Sequence, residues 1–120
     1  MDLIAIILIA LIAALHFYIM WFEMFAWESR GPKVFASLPS DLFAPTKAMA
    51  ANQGLYNGFL GAGLIWSLLI GDPFYSQNVA LFFLICVFVA GVYGAMTVSK
   101  RIVFVQSVPS GLAILATLIS

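Results

Sequence analysis

Four long apolar runs, broken by three short polar stretches, organise this chain. The runs cover about residues 3–27, 46–70, 79–98 and 102–119. Each has close to the number of residues that a helix rising 1.5 Å per residue needs to cross a hydrocarbon layer of about 30 Å. The first break, Glu28 to Ala44, holds Pro32, Pro39 and Ser40-Asp41 among apolar Val34, Phe35, Leu38, Leu42 and Phe43. That mixture predicts a short turn or helix lying along a membrane surface rather than a free linker. Gly31-Pro32 is expected to stop the first helix, Pro45 to open the second, and Gly71-Asp72-Pro73 to turn the chain before the third. Ser99-Lys100-Arg101 makes the last turn, and Pro109, with Ser107, Ser110 and Gly111 nearby, is expected to kink the fourth helix. The pattern predicts an all-α membrane protein, a single domain over residues 1–120 folded as a four-transmembrane-helix bundle.

Charge gives the bundle an orientation. All five basic residues lie in or at the edge of the first and third breaks: Arg30 and Lys33 in one with Lys47 just beyond its end, Lys100 and Arg101 in the other. Those two connections share a face in a four-span protein, so the positive-inside rule places them in the cytoplasm and both termini on the outer side. Trp21 and Trp27 mark the cytoplasmic interface of the first run. Composition excludes a soluble domain: 64% of residues are hydrophobic, 8% are charged, and the mean hydropathy is +1.11. The formal net charge of zero implies no nucleic acid or acidic partner. The single cysteine, Cys86, excludes a disulfide framework, and no spacing of ligand residues suggests a metal. The start, Met1-Asp2-Leu3, lacks the basic residues of a signal peptide, so the first run is expected to remain.

Polar residues inside the runs are concentrated toward the cytoplasmic half. His16 and Glu23 come from the first run, Asn52, Gln53, Tyr56 and Asn57 from the second, Tyr93 and Thr97 from the third, Gln106 from the fourth. Such groups are costly in hydrocarbon unless they meet partners or water. Their asymmetry predicts a polar cavity opening to the cytoplasm. His16 and Glu23, seven residues apart, differ by only about 20° around a helix, and Asn52, Gln53, Tyr56 and Asn57 fall within roughly 140°. Gly54, Gly58 and Gly61 occupy the other side of that helix, where another helix could approach closely, including one from a second copy of the chain.

The segment Ala50-Ala51-Asn52-Gln53-Gly54-Leu55-Tyr56-Asn57-Gly58-Phe59-Leu60 resembles the signature of the small bacterial membrane proteins catalogued as domain of unknown function 1304. His16 to Met24, Lys33-Val34-Phe35, Leu81-Phe82-Phe83, Ala90 to Ala95 and Gln106 match as well. The resemblance implies four transmembrane helices and a multi-pass place in a bacterial cytoplasmic membrane. It brings no activity.

Three functions compete. In the first, a small amphipathic or lipid-like ligand is bound or transported in the cytoplasm-facing cavity, its head oriented by Asn52, Gln53, Tyr56, Asn57, Tyr93 and Gln106. In the second, Glu23 and His16 are the acid–base pair of a membrane-embedded isomerase. In the third, the chain is an accessory subunit docked through its glycine faces. No catalytic triad, phosphate loop or cofactor motif is present, so no cofactor is expected.

Overall fold

Leu, Ile and Ala fill the first apolar run almost without interruption, and in the computed structural model, which describes all 120 residues, they form helix α1, Leu3–Phe25. Asp2 Oδ1 opens it by accepting from Ala5 N at 3.0 Å. The helix breaks at Ala26, where φ is −125° and ψ 16°, and resumes as α2, Trp27–Val34. Gly31-Pro32 therefore lies inside a helix, not at the end of one. The glycine serves close packing: a Cβ at Gly31 would collide with the ring of Phe43. After a 3₁₀ turn at Ser40–Leu42 come α3, Lys47–Leu69, and α4, Pro73–Thr97. No strand is present, so the all-α class is observed.

Helix α4 starts six residues before the expected Val79. Asp72 caps it, accepting from Phe74 N at 2.8 Å and Tyr75 N at 3.2 Å, with Pro73 in the first helical position. A pair that reads as a turn is thus a cap followed by a residue already fixed at helical φ. Pro109 is handled by widening the helix. Val103–Ser107 form a π-helical turn closed by Val108 N donating to Val103 O, and α5, Val108–Ile119, follows with Pro109 in its first turn. Ser110 Oγ donates to Gln106 O at 2.6 Å, so a hydroxyl serves a carbonyl of that turn. Two helices, α1 and α4, are long and apolar enough to cross a membrane; Val103–Ile119 is a shorter apolar helix.

Packing divides the chain into two compact units, one of Met1–Ala14 with Leu60–Ser120 and one of Leu15–Phe59. The first is built on Ile9, Ile12, Ala13, Leu64, Ala80, Leu84, Val87 and Ala113. Ala80, Leu84, Val87 and Gly91 recur at three- and four-residue steps, which is one face of α4. Gly91 brings that face onto the π turn. A Cβ there would meet Ser107 Oγ, Gln106 Cβ at 2.9 Å and Ser107 N at 2.9 Å, and Ser107 Oγ donates to Phe88 O at 3.0 Å. Buried hydroxyls in this unit bond to backbone carbonyls, Ser76 Oγ to Ser67 O and Thr117 Oγ1 to Ala113 O, both at 2.7 Å. The exposed surface is rich in large apolar side chains, among them Ile4, Leu11, Phe82, Val89, Leu115 and Leu118.

The second unit folds the first polar break around aromatic rings. Trp27 lies 5.9 Å from Phe22, 5.8 Å from Phe35 and 5.1 Å from Phe43, centroid to centroid. Its Nε1 donates to Thr46 Oγ1 at 3.0 Å, and Thr46 Oγ1 donates onward to Leu42 O at 2.7 Å. Lys47 Nζ and Glu28 Oε1 form an exposed ion pair at 3.3 Å. The expected surface-lying segment is a compact helical cap, held by ring packing more than by charge.

Candidate functional site

Within the Leu15–Phe59 unit, helix α1 presents one inward stripe, His16, Met20 and Glu23, as their three-, four- and seven-residue spacings require. His16 is fully buried and Glu23 is 8% exposed. The first half of α3 answers with buried Gly54 and Gly58. A Cβ at Gly54 would come within 2.9 Å of Glu23 Cβ, 3.0 Å of Met24 Cγ and 3.1 Å of the backbone oxygen of Met20. At Gly58 it would strike Met20 Sδ. The two glycines let the helix backbones approach, and this chain's own α1 fills their face.

Close approach brings one polar pair together. Asn57 Nδ2 donates to Glu23 Oε1 at 2.7 Å and to Gln53 O of its own helix at 3.2 Å. No hydrogen bond within the chain uses Glu23 Oε2, so one carboxyl oxygen is fixed and the other is unpaired in the chain.

The remaining amides of α3 are elsewhere. Asn52, Gln53 and Tyr56 are exposed, and their side-chain polar atoms make no hydrogen bond in the chain; the Tyr56 ring packs edge-on to Phe59 at 5.7 Å. They form an open polar side of α3, bordered by the half-buried Asn57 where it meets Glu23. Tyr93 and Gln106 belong to the other unit. Tyr93 is 69% exposed, beside a shallow apolar groove on α4 formed with Phe82, Ile85, Cys86, Val89 and Ala90. Gln106 is half-buried in the π turn. No group of three or more His, Cys, Asp or Glu side chains is placed to hold a metal ion.

One contact escaped the reading of the sequence. Arg30 on α2 reaches back to α1, its Nη2 donating to Tyr18 Oη at 3.2 Å with the guanidinium 6.0 Å from the centre of the Trp21 ring. The signal available was an aromatic pair three residues apart near the end of an apolar helix, followed by a basic loop.

Comparison with known proteins places the sequence in a family. The profile described as protein of unknown function (DUF1304) matches residues 10–118. The chain is 34% identical over 122 residues to the uncharacterized protein YpaA of Lactococcus lactis subsp. lactis (strain IL1403), an alignment covering 100% of this chain and 98% of that protein. No solved structure matches.

Proposed function

The chain belongs to the DUF1304 family, and from that premise we propose that it is a four-span protein of the bacterial cytoplasmic membrane that binds a small amphipathic or lipid-like molecule along the polar side of α3. One observation carries the reading. Asn52 and Gln53 present unbonded amides on a 23-residue helix, beside a carboxyl group with only one of its oxygens occupied. At 1.5 Å per residue α3 is roughly 35 Å long, enough to cross the bilayer, and hydrocarbon offers such groups no hydrogen bonds. A ligand head with both donors and acceptors would supply them. A hydroxyl or amine could reach Glu23 Oε2, and flanking Leu55 and Phe59, both exposed, would lie against its apolar body. The apolar exposed surface of the whole chain agrees with a lipid environment. In this reading the loops around α2 and at Ser99 to Arg101 face the cytoplasm and both termini face outward, from the charge distribution.

An acid–base enzyme is the second reading, favoured by the same half-occupied carboxyl of Glu23, with His16 two stripe positions deeper in α1, beyond Met20. The two share a first experiment. The protein is purified in nanodiscs and the molecules that accompany it are identified by native mass spectrometry. Asn52→Leu with Gln53→Met should remove the bound species while the melting temperature holds or rises, because exposed amides are exchanged for apolar groups. An unchanged set of bound species, or a loss of stability in place of a loss of ligand, overturns the binding site. Conversion of the identified molecule, abolished by Glu23→Gln, would favour the enzyme.

A further inference from the structure

Arg30 is held in a way that suits an anion at a membrane surface. Its guanidinium carries five N–H donors, and one of them is used, by Tyr18 Oη at 3.2 Å. The Trp21 ring, 6.0 Å from it, supports the cation from the side. Glu28 is committed to Lys47, and neither Arg30 nor Lys33, one helical turn further along α2, has a carboxylate partner. Both are exposed. Trp21 Nε1–H, on a side chain 45% exposed, makes no hydrogen bond in the chain. The result is a fork of cationic donors fixed in direction by two aromatic rings, with an indole donor beside it.

The surface that continues from this fork is apolar. Tyr18 and Trp21 stand on the outward side of α1 with exposed Phe17 and Phe25. A soluble anion would meet the charge and leave those rings uncovered, whereas a phospholipid offers a phosphate to the guanidinium and acyl chains to the rings. Guanidinium pairs with phosphate through two parallel bonds, which a single ammonium group cannot form.

We propose that Arg30, Tyr18 and Trp21 form a binding site for the phosphate of an anionic phospholipid at the cytoplasmic boundary of α1. The site uses residues outside the polar side of α3 and shares with the function proposed above only the placement of α1 in a membrane and its orientation there. The test uses the full chain in nanodiscs mixing phosphatidylglycerol with phosphatidylcholine, followed by native mass spectrometry of the lipids that stay bound. Wild type should retain phosphatidylglycerol in excess of its share of the bilayer. Arg30→Gln should cut that excess about fivefold, the usual effect of one cation at a lipid surface. Arg30→Lys should restore only part of it, because the charge returns without the fork. Lys100→Gln, in the other basic loop, should leave it unchanged. An equal excess in wild type and Arg30→Gln overturns the site, and so does full recovery with Arg30→Lys, which would make it a matter of charge alone. Release of the lipid by millimolar inorganic phosphate would mean a free anion is the occupant and would overturn the lipid assignment. Asn52→Leu with Gln53→Met should keep the excess, so failure here and failure of the site on α3 are told apart.

Discussion

The Glu23–Asn57 contact is asymmetric, and the asymmetry predicts unequal costs. Asn57 has a second acceptor, Gln53 O at 3.2 Å, while Glu23 Oε1 has Asn57 alone. Asn57→Leu therefore strands a buried carboxyl group and should lower stability by roughly 1–3 kcal/mol. Glu23→Leu leaves the amide its bond to Gln53 and should cost less, about 0.6 kcal/mol, the average worth of an interhelical bond in a membrane. The double variant should lie near Glu23→Leu rather than at the sum. Thermal unfolding of the four proteins in one detergent checks this, and additive costs would mean the pair is not coupled. Part of this contact was legible in the sequence. The stripe of His16 and Glu23 follows from helical phase, and both are buried. The amides of α3 could not all be placed that way. At 100° per residue Asn57 lies at the edge of its arc, about 40° from Gly61 and 60° from Gly54. Treating the arc as one patch hides that Asn57 turns inward with the glycines while Asn52, Gln53 and Tyr56 turn outward.

Among the helices, glycines rank by what a methyl group would meet. At Gly91 it would meet the backbone nitrogen of Ser107 and the Cβ of Gln106, neither of which can swing aside. At Gly54 the neighbours are the Met20 backbone oxygen and the Glu23 Cβ, again close to the main chain. At Gly58 the obstacle is the flexible end of Met20, and at Gly111 the nearest atom, Phe88 Cε2, is at an ordinary 3.5 Å. Alanine should therefore destabilise most at positions 91 and 54 and little at 58. At 111 it should stabilise by a few tenths to about 1 kcal/mol through helix propensity. Melting temperatures of the four variants test the order; a uniform response would show that close approach is not what the glycines provide. Element ends show why local signals mislead. Gly31-Pro32 has the composition of a stop, yet the break falls at Ala26, where the chain turns to bring Trp27 against Phe22 and Phe43. No residue at Ala26 announces that; the ring packing decides it.

For the molecule as a whole, the chain belongs to the family and is all-helical, and the proposed orientation rests on the charge distribution alone. A C-terminal alkaline phosphatase fusion should be active and a green fluorescent protein fusion dark, because the terminus after α5 is expected outside. The reverse result would invert the topology and put α2 and Arg30 on the outer face. Apolar run lengths lead to an expectation of four spans, and two helices, α1 and α4, are long and apolar enough for that; α3 departs from the simple pattern, since Lys47, Asn52, Gln53 and Asn57 leave it less apolar than either. Polar side chains lower the hydropathy of the helix that carries them, which is why the helix proposed to hold a ligand is the hardest to assign from hydropathy.

The π turn at Val103–Ser107 has a consequence for how this chain can change over evolutionary time. A π turn holds one residue more than the α-helical turn it replaces, while the helix on either side keeps its phase. Loss of a residue from a regular helix such as α4 rotates everything beyond it by about 100° and turns its core positions outward. Loss of one from residues 103–107 would instead let the wide turn relax into an ordinary one, with Ala113 and Thr117 still facing inward. Length and facing are uncoupled at this one place, and there the helix can record an insertion or deletion without being refolded around it.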